Sequence, residues 1–448
     1  MLHYIFLSTE RSFVSCLQSF LSLIELHESA AFFLPGFRRH LHRLIPEDVF
    51  HRETPLKFPS GSRTHPHFIC AISVICGCAS RSESPIPGTA ARLAKDMVEF
   101  GIMTAKNRPI VPFLLLLIAL VLAGGLPAAA VTITGLCYHQ VRPGAKGQFE
   151  ITPETFREQL GILKAQGYRS ISSKELLMLL RDGSQPTGRP ILITFDDGYA
   201  SVYDYAYPIM EEFGFTGIAC IYPSFIGSSN ALSWDQLREM AETGWSIESH
   251  AMSHANLAQG YGTPSYAKML EHEVAGSRHL IEKQIGAPVL FMVWPYGIYT
   301  DVAEQAARDA GYAGAMTVDG GGNYPGLDPF RVKRQVVYRS DSREKFLIRL
   351  GMAAVEVTDQ HPRPGEVLEE LATVGCRLPA LADYAPDTYV LNAKVTGGSL
   401  DFRFDPATRE LQARPKAPLP VGHRFIDIYL RNLRTGVTAQ HGWLFTVR

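Results

Sequence analysis

The 448-residue chain lacks an excess of charge of either sign: 43 lysines and arginines face 44 aspartates and glutamates, for a formal net charge of -1. A nucleic-acid partner would leave a basic patch or stripe, so none is expected. Cysteine is scarce as well. Of seven, Cys16, Cys70, Cys76 and Cys78 precede residue 100, and only Cys137, Cys220 and Cys376 lie beyond it. Three scattered cysteines make neither a disulfide framework nor a zinc ribbon. Cys70, Cys76 and Cys78 with His65 and His67 have no second pair at a matching distance, which argues against a metal site there. No cysteine follows Leu122-Ala123-Gly124-Gly125, so a lipoprotein anchor is not indicated. The apolar run at 110–122 is broken by Pro112 and is short for a spanning helix.

What is present is a composition and length with room for two or three domains and a sizeable core. Residues 1–102 show no sustained periodicity and are expected to be unstructured, or an over-extended reading frame. At Met103 the character changes. Lys106 and Arg108 precede the apolar run, and Ala128-Ala129-Ala130 follows it, the layout of a secretory signal peptide. Residues 103–130 are therefore read as a signal peptide, with translation starting at Met103 or Met97 and an extracytoplasmic product. The rival reading is an uncleaved anchor giving membrane or envelope association through 110–126.

The rest is organised around Ile191-Leu192-Ile193-Thr194-Phe195-Asp196-Asp197-Gly198. A β-branched apolar run bounded by Pro190 and Gly198 predicts a buried strand of a parallel sheet. Asp196 and Asp197 then stand where the strand leaves the sheet, the edge at which α/β folds place their chemistry. Adjacent carboxylates at a buried strand end call for a cation or another partner.

Around that strand, β and α patterns alternate over 131–350. Strands are expected at 131–138, 168–171, 216–222, 246–249, 289–293 and 313–318. Thr152 with Pro153 starts the first helix, whose Phe156, Leu160 and Leu163 share a face. Ser172 with Glu175 and Ser233 with Gln236 form capping boxes for later ones. Further helices are expected at 202–213, 265–285 and 301–310. The repeated units imply a parallel α/β sheet, and their number suggests a closed barrel.

Two more clusters end predicted strands. In His250-Ala251-Met252-Ser253-His254 a helical turn at the strand end would bring both imidazoles to one ion. With a carboxylate they make a two-histidine, one-aspartate set with an open position for water. In Trp294-Pro295-Tyr296-Gly297 the proline and glycine shape a tight loop, and Trp294 and Tyr296 offer flat apolar surfaces suited to a sugar ring.

Thr194-Phe195-Asp196-Asp197-Gly198, His250-x-x-x-His254 and Trp294-Pro295-Tyr296-Gly297 resemble successive motifs of the polysaccharide deacetylases, carbohydrate esterase family 4. Tyr138-His139 ahead of them resembles the branch of poly-β-1,6-N-acetylglucosamine N-deacetylases. The resemblance covers about 133–340 and implies a distorted (β/α) barrel with fewer than eight complete units. It also implies roles. A divalent metal, zinc first with nickel, cobalt or iron as alternatives, would sit on Asp197, His250 and His254 and lower its water's pKa to about 7. Asp196 would be the general base, and the backbone N–H of Tyr296 would help hold the oxyanion. His139 would be the acid that protonates the leaving amine. Two departures stand out. Many members carry an arginine before the Pro-Tyr-Gly loop that orients the catalytic aspartate, where this chain has Val293 and Trp294; Arg331 or Arg334 is the candidate substitute. The usual late Leu-x-His motif is not evident, and His139 takes its place.

Pro362, Pro364 and Gly365 mark a linker at 351–384. Short strands are expected beyond it at 389–391, 400–404, 410–413 and 425–430, where Ile426, Ile428 and Leu430 alternate with Asp427 and Tyr429. The ending through Trp443-Leu444-Phe445-Thr446-Val447 resembles bacterial immunoglobulin-like modules, so 385–448 is read as a small all-β sandwich. The function expected is secreted deacetylation of an N-acetylglucosamine polymer. Peptidoglycan, chitin and acetyl-xylan are rival substrates. A non-catalytic sugar-binding relative is made plausible by the missing arginine, but the retained Asp196, Asp197, His250 and His254 argue against it. Sequencing the N-terminus of the native protein is expected to begin at Val131; recovery of Met1 would refute the signal-peptide reading.

Overall fold

The computed structural model describes residues 132–448, apart from 185 and 380–387. The readings placed on 1–130, including the signal segment, lie outside the described residues. Among those described, no helix is long and apolar enough to cross a membrane.

The chain opens with β1 (Thr134–Tyr138), then the short pair β2 (Gln140–Val141) and β3 (Glu150–Ile151). Helix α1 (Pro153–Ala165) follows, with the Thr152 hydroxyl accepting from the Thr155 N–H and Phe156, Leu160 and Leu163 buried. Next come β4 (Tyr168–Ser170), α2 (Ser173–Asp182) and β5 (Arg189–Asp197). Ser172 caps α2, but Glu175 does not complete the expected box. Its carboxylate takes both Nη atoms of Arg169, at 3.0 and 2.6 Å. The full box forms at Ser233 and Gln236.

The helix expected at 202–213 starts as a π-turn (Val202–Ala206) and becomes α3 (Tyr207–Phe213) around Pro208, which has no N–H to give the preceding turn. Then follow β6 (Ile218–Ile221), α4 (Trp234–Glu242) and β7 (Ser246–Ser249). The helix expected at 265–285 is α5 (Tyr266–Leu270), a π-turn (Glu271–Gly276) and α6 (Ser277–Ile285). The remaining barrel elements are β8 (Phe291–Val293), α7 (Asp301–Asp309), β9 (Gly314–Met316), β10 (Gln335–Val336) and α8 (Arg343–Leu350).

The sheet runs β10-β1-β5-β6-β7-β8-β9 with β4 also on β5, all parallel. Residues 332–336 close it. Val332 bridges Met316 on one side, while Gln335 and Val336 pair with Leu136 and Cys137 on the other. Because side chains alternate along a strand, one parity packs under the helices (Ile191, Ile193, Phe195, Ala219, Ile221 and Met292). The other, with Leu192, Ile218, Cys220, Phe291, Val293 and Met316, forms a separate inner cluster. Asp196 has the parity of Leu192, so it stays inside at the strand end.

The linker expected at 351–384 is not one. It carries β11 (Ala353–Ala354), β12 (Thr358–His361), β13 (Val367–Leu368) and β14 (Val374–Arg377). These join β15 (Tyr389–Val395), β16 (Leu400–Asp405), β17 (Glu410–Pro415), β18 (Gly422–Asn432) and β19 (Thr438–Val447) in two facing sheets, so the β domain starts at 353 rather than 385. Strands of two to four residues with proline between them leave no alternation to read. The sheets enclose Val374, Cys376, Leu411, Ile426, Ile428, Trp443 and Phe445. Leu444, of the opposite parity on β19, packs into the barrel core. Strand β19 is therefore covered on both faces.

Contact with the barrel is close. Gly321 bridges His441, and Gly442 N–H donates to Gly320 O at 2.8 Å. A Cβ on Gly321 would stand 2.2 Å from the backbone oxygen of Gln440, and its φ of +117° disfavours any side chain. Gly321→Ala is expected to destabilise the chain by about 2–4 kcal/mol, read as a lower urea midpoint with the m-value unchanged.

Candidate metal centre and catalytic site

The site is built where β1, β5, β7 and β8 end. Asp196 is buried and its carboxylate lies against Arg334, with Nη1 2.5 Å from Oδ1 and Nη2 3.0 Å from Oδ2. Nη1 also donates to Thr194 Oγ1 at 2.9 Å and Nε to Thr317 O at 3.3 Å, which fixes the guanidinium plane. The Cys137 thiol donates to Asp196 Oδ2 at 3.3 Å. Burial alone would raise the Asp196 pKa, but the Arg334 charge reverses this and holds the carboxyl well below the usual range. The pairing thus favours the ionised form of Asp196.

Of the two arginines considered as substitutes, Arg334 holds the aspartate. Arg331 instead pairs with Glu304 and lies over the Tyr299 ring. Arg334 arrives on the barrel-closing segment, 138 positions from its partner, so no local spacing announces it. Cys137 has no role that local spacing announces; its signal is parity, since it lies two residues before His139.

Asp197, with φ of +77°, turns away from the strand and faces the two histidines. Its Oδ1 is 3.7 Å from His250 Nε2 and 3.3 Å from His254 Nε2. One ligand atom from each of the three lies within 4.8 Å of the others. The expected helical turn does not form. Residues 251–253 are a tight turn, and Ala251 and His254 adopt left-handed φ of 63° and 60°. The imidazoles converge through that turn, with centroids 4.7 Å apart.

The electrostatics favour a cation among these three. His250 Nδ1 sits 2.8 Å from Val293 O, so that nitrogen carries the proton and Nε2 presents a lone pair to Asp197. Burial pushes His250 down to about 3, which keeps it neutral. Burial and the charge of Asp196 push Asp197 up to about 7. Asp197 Oδ1 is buried with no hydrogen-bond donor among the described residues. Acceptors thus face acceptors. Ligands 2.0–2.1 Å from a tetrahedral zinc lie about 3.3 Å apart, close to the 3.3 and 3.7 Å from Asp197 Oδ1 to the two imidazole nitrogens. The donor set fits a divalent metal.

His139 immediately follows β1, stacks on Phe149 at 4.6 Å, and has a ligand atom within 4.8 Å of those of Asp196 and Cys137. Burial lowers its pKa, and its Nδ1 has no partner among the described residues. The Trp294-Pro295-Tyr296-Gly297 reading needs correction. Trp294 and Pro295 are buried, Trp294 stacking on Tyr299 at 5.4 Å, so neither presents a surface to a sugar. Tyr296 is 60% exposed and sets its ring edge-on to His254 at 4.5 Å. Gly297 and Ile298 donate the loop's own hydrogen bonds, leaving the Tyr296 N–H outside that pattern. Glu248, which the sequence reading missed, accepts from the Leu290 and Phe291 N–H groups at 2.8 and 2.7 Å and so ties β7 to β8 beneath His250.

Residues 183–315 match the family model for polysaccharide deacetylase. The chain carries a polysaccharide deacetylase domain. This deacetylase domain is similar to YxkH of Bacillus subtilis, 30% identical over 186 residues that make up 42% of this chain and 64% of that one. It is also similar to the poly-β-1,6-N-acetyl-D-glucosamine N-deacetylase of Staphylococcus epidermidis, 27% identical over 42% of this chain and 68% of that one. Among solved structures, the Streptococcus pyogenes deacetylase PplD in complex with acetate aligns at 24% identity and a TM-score of 0.45, over 49% of this chain and 97% of that one. IcaB from Ammonifex degensii aligns at 24% and 0.44, over 48% and 94%.

Removing Arg334 leaves the Asp196 charge buried and uncompensated. Arg334→Met is expected to cost about 3–5 kcal/mol at pH 7. The sign with pH follows from linkage. In the wild type the Asp196 carboxyl is depressed, so its contribution is present above the unfolded value and lost as pH falls. In Arg334→Met burial raises it, so that variant's penalty eases as pH falls from the raised value toward about 4, and the deficit between the two proteins should shrink in acid. Paired urea titrations at pH 7 and in mild acid check this, and a deficit that grows in acid would contradict the assignment.

Proposed function

We propose that this chain is an extracytoplasmic, metal-dependent N-deacetylase of an N-acetylglucosamine polymer, with poly-β-1,6-N-acetylglucosamine as the preferred substrate. The observation that carries the reading is the convergence of Asp197, His250 and His254 beside Asp196, an ionised carboxylate outside that set. The substrate follows from Tyr138-His139 ahead of the Asp-Asp motif, and from the activity in the name of the S. epidermidis relative. The extracytoplasmic location follows from the signal-like segment at 103–130 and from the size of such a polymer.

Asp197, His250 and His254 would hold the cation, zinc first on ligand type. Bound there, it supplies Lewis acidity to a water and to the acetyl oxygen. The chain's own groups do the rest. Asp196, oriented by Arg334, takes a proton from the water whose oxygen attacks the acetyl carbon. The Tyr296 N–H donates to the oxygen on which charge develops. As the C–N bond breaks, its electron pair goes to nitrogen, and His139 delivers the proton that makes the amine a leaving group. Acetate and a free glucosamine amine result. Exposed Tyr296, beside His254, is the flat surface left for the sugar ring.

A binding-only relative is the rival that a missing arginine makes plausible. Arg334 on Asp196 removes that argument, because the orienting cation comes from another part of the chain.

Acetate release from β-1,6-linked N-acetylglucosamine oligomers is expected to stop with chelator and return with zinc. Asp196→Asn and His139→Ala should each lower kcat by about 10²–10⁴-fold, while Asp197→Ala should lose the metal itself, read by elemental analysis. Oligosaccharide binding without acetate from any acetylated glycan would refute the reading.

A further inference from the structure

A cavity of about 390 Å³ lies between the loop after β9, residues 326–333 and the β domain, and it shares no lining residue with the metal cluster. Its volume falls within the range of about 300–1,000 Å³ usual for small-molecule sites. Asp319 lines it and is only 2% exposed, yet its Oδ1 has no hydrogen-bond donor among the described residues. A buried carboxylate oxygen is seldom left so. Lys333, a buried cation whose charge acts on Asp319, donates from Nζ to Gly442 O at 2.6 Å and leaves Asp319 Oδ1 without a hydrogen bond.

The missing donor can be typed by charge. Arg331 and Arg308 are balanced by Glu304 and Asp328. Lys333 faces Asp319 and Asp427, with Arg331 also acting on the first and Lys394 on the second, and Glu356 stands exposed among the lining residues. Acid is in excess, which disfavours an anion. A metal ion is disfavoured too, since the described groups with metal-ligand spacing do not include these residues. A neutral hydroxyl would satisfy Asp319 but leave the charge. A primary ammonium satisfies both.

Under the deacetylase reading, on which this inference rests, each turnover makes one such ammonium on a sugar ring. We propose that this cavity binds a glucosamine unit of the deacetylated product, its ammonium on Asp319, and so holds the polymer while acetylated units meet the metal centre. An N-acetylglucosamine unit lacks the cation and binds weakly here.

Calorimetry of the full chain with β-1,6-linked glucosamine tetramer and its fully N-acetylated counterpart, under chelator to prevent turnover, tests this. The glucosamine tetramer is expected to bind at least about tenfold more tightly, a preference of about 1.4 kcal/mol. Asp319→Asn should abolish that preference. Glu356→Gln, an exposed change at the cavity lining, should reduce it about threefold. Equal affinity for the two tetramers overturns the proposal. So does a preference lost in Asp197→Ala but kept in Asp319→Asn, which would place the amine at the metal centre. Acetate release without amine preference refutes the cavity assignment alone. Amine preference through Asp319 without acetate release from any glycan refutes the deacetylase reading alone.

Discussion

The ion pair between Arg334 and Asp196 is the interaction on which the rest of this structure depends. Two fully buried charges in contact would be no asset in themselves, because desolvation offsets much of their attraction. Here each is over-determined. The carboxylate also accepts from Cys137, and the guanidinium from its other side reaches Thr194 and Thr317. The pair ties the barrel-closing segment to the central strand, and it fixes a negative charge beside three groups that could hold a metal. One contact thus closes the fold and poises the chemistry.

Around that pair the site divides acids by environment. Asp196 and Asp197 are neighbours in sequence and opposites in electrostatics: one is held well below the carboxylate range by an arginine, the other is pushed up to about 7 by burial and by its neighbour. The strand's alternation and the left-handed turn at Asp197 produce the split, since they aim one carboxylate into the barrel and the other toward the histidines. Neutral imidazoles, with His250 oriented by Val293 O, complete a set of lone pairs that a divalent ion would join.

The β domain is more than an appended module in physical terms. Strand β19 feeds Trp443 and Phe445 to the sandwich core and Leu444 to the barrel core. Gly320 and Gly321 let the barrel loop run against that strand at a distance no side chain would allow. The cavity lined by Asp319 is bounded by both parts, so any ligand there would sense both.

Local pattern in the sequence determined a good deal by itself. The alternation of strands and helices, the caps at Thr152, Ser172 and Ser233, and the placing of Asp196, Asp197, His250 and His254 at strand ends follow from periodicity, because backbone geometry repeats every two or 3.6 residues. Only the tertiary structure decided which arginine meets Asp196, that Cys137 joins it, that Trp294 is buried while Tyr296 is exposed, and that residues 353–377 belong to a sandwich. Each of these depends on which surfaces meet across long separations in the chain. Closure of the barrel and packing of β19 set those meetings, and no short window of sequence carries them.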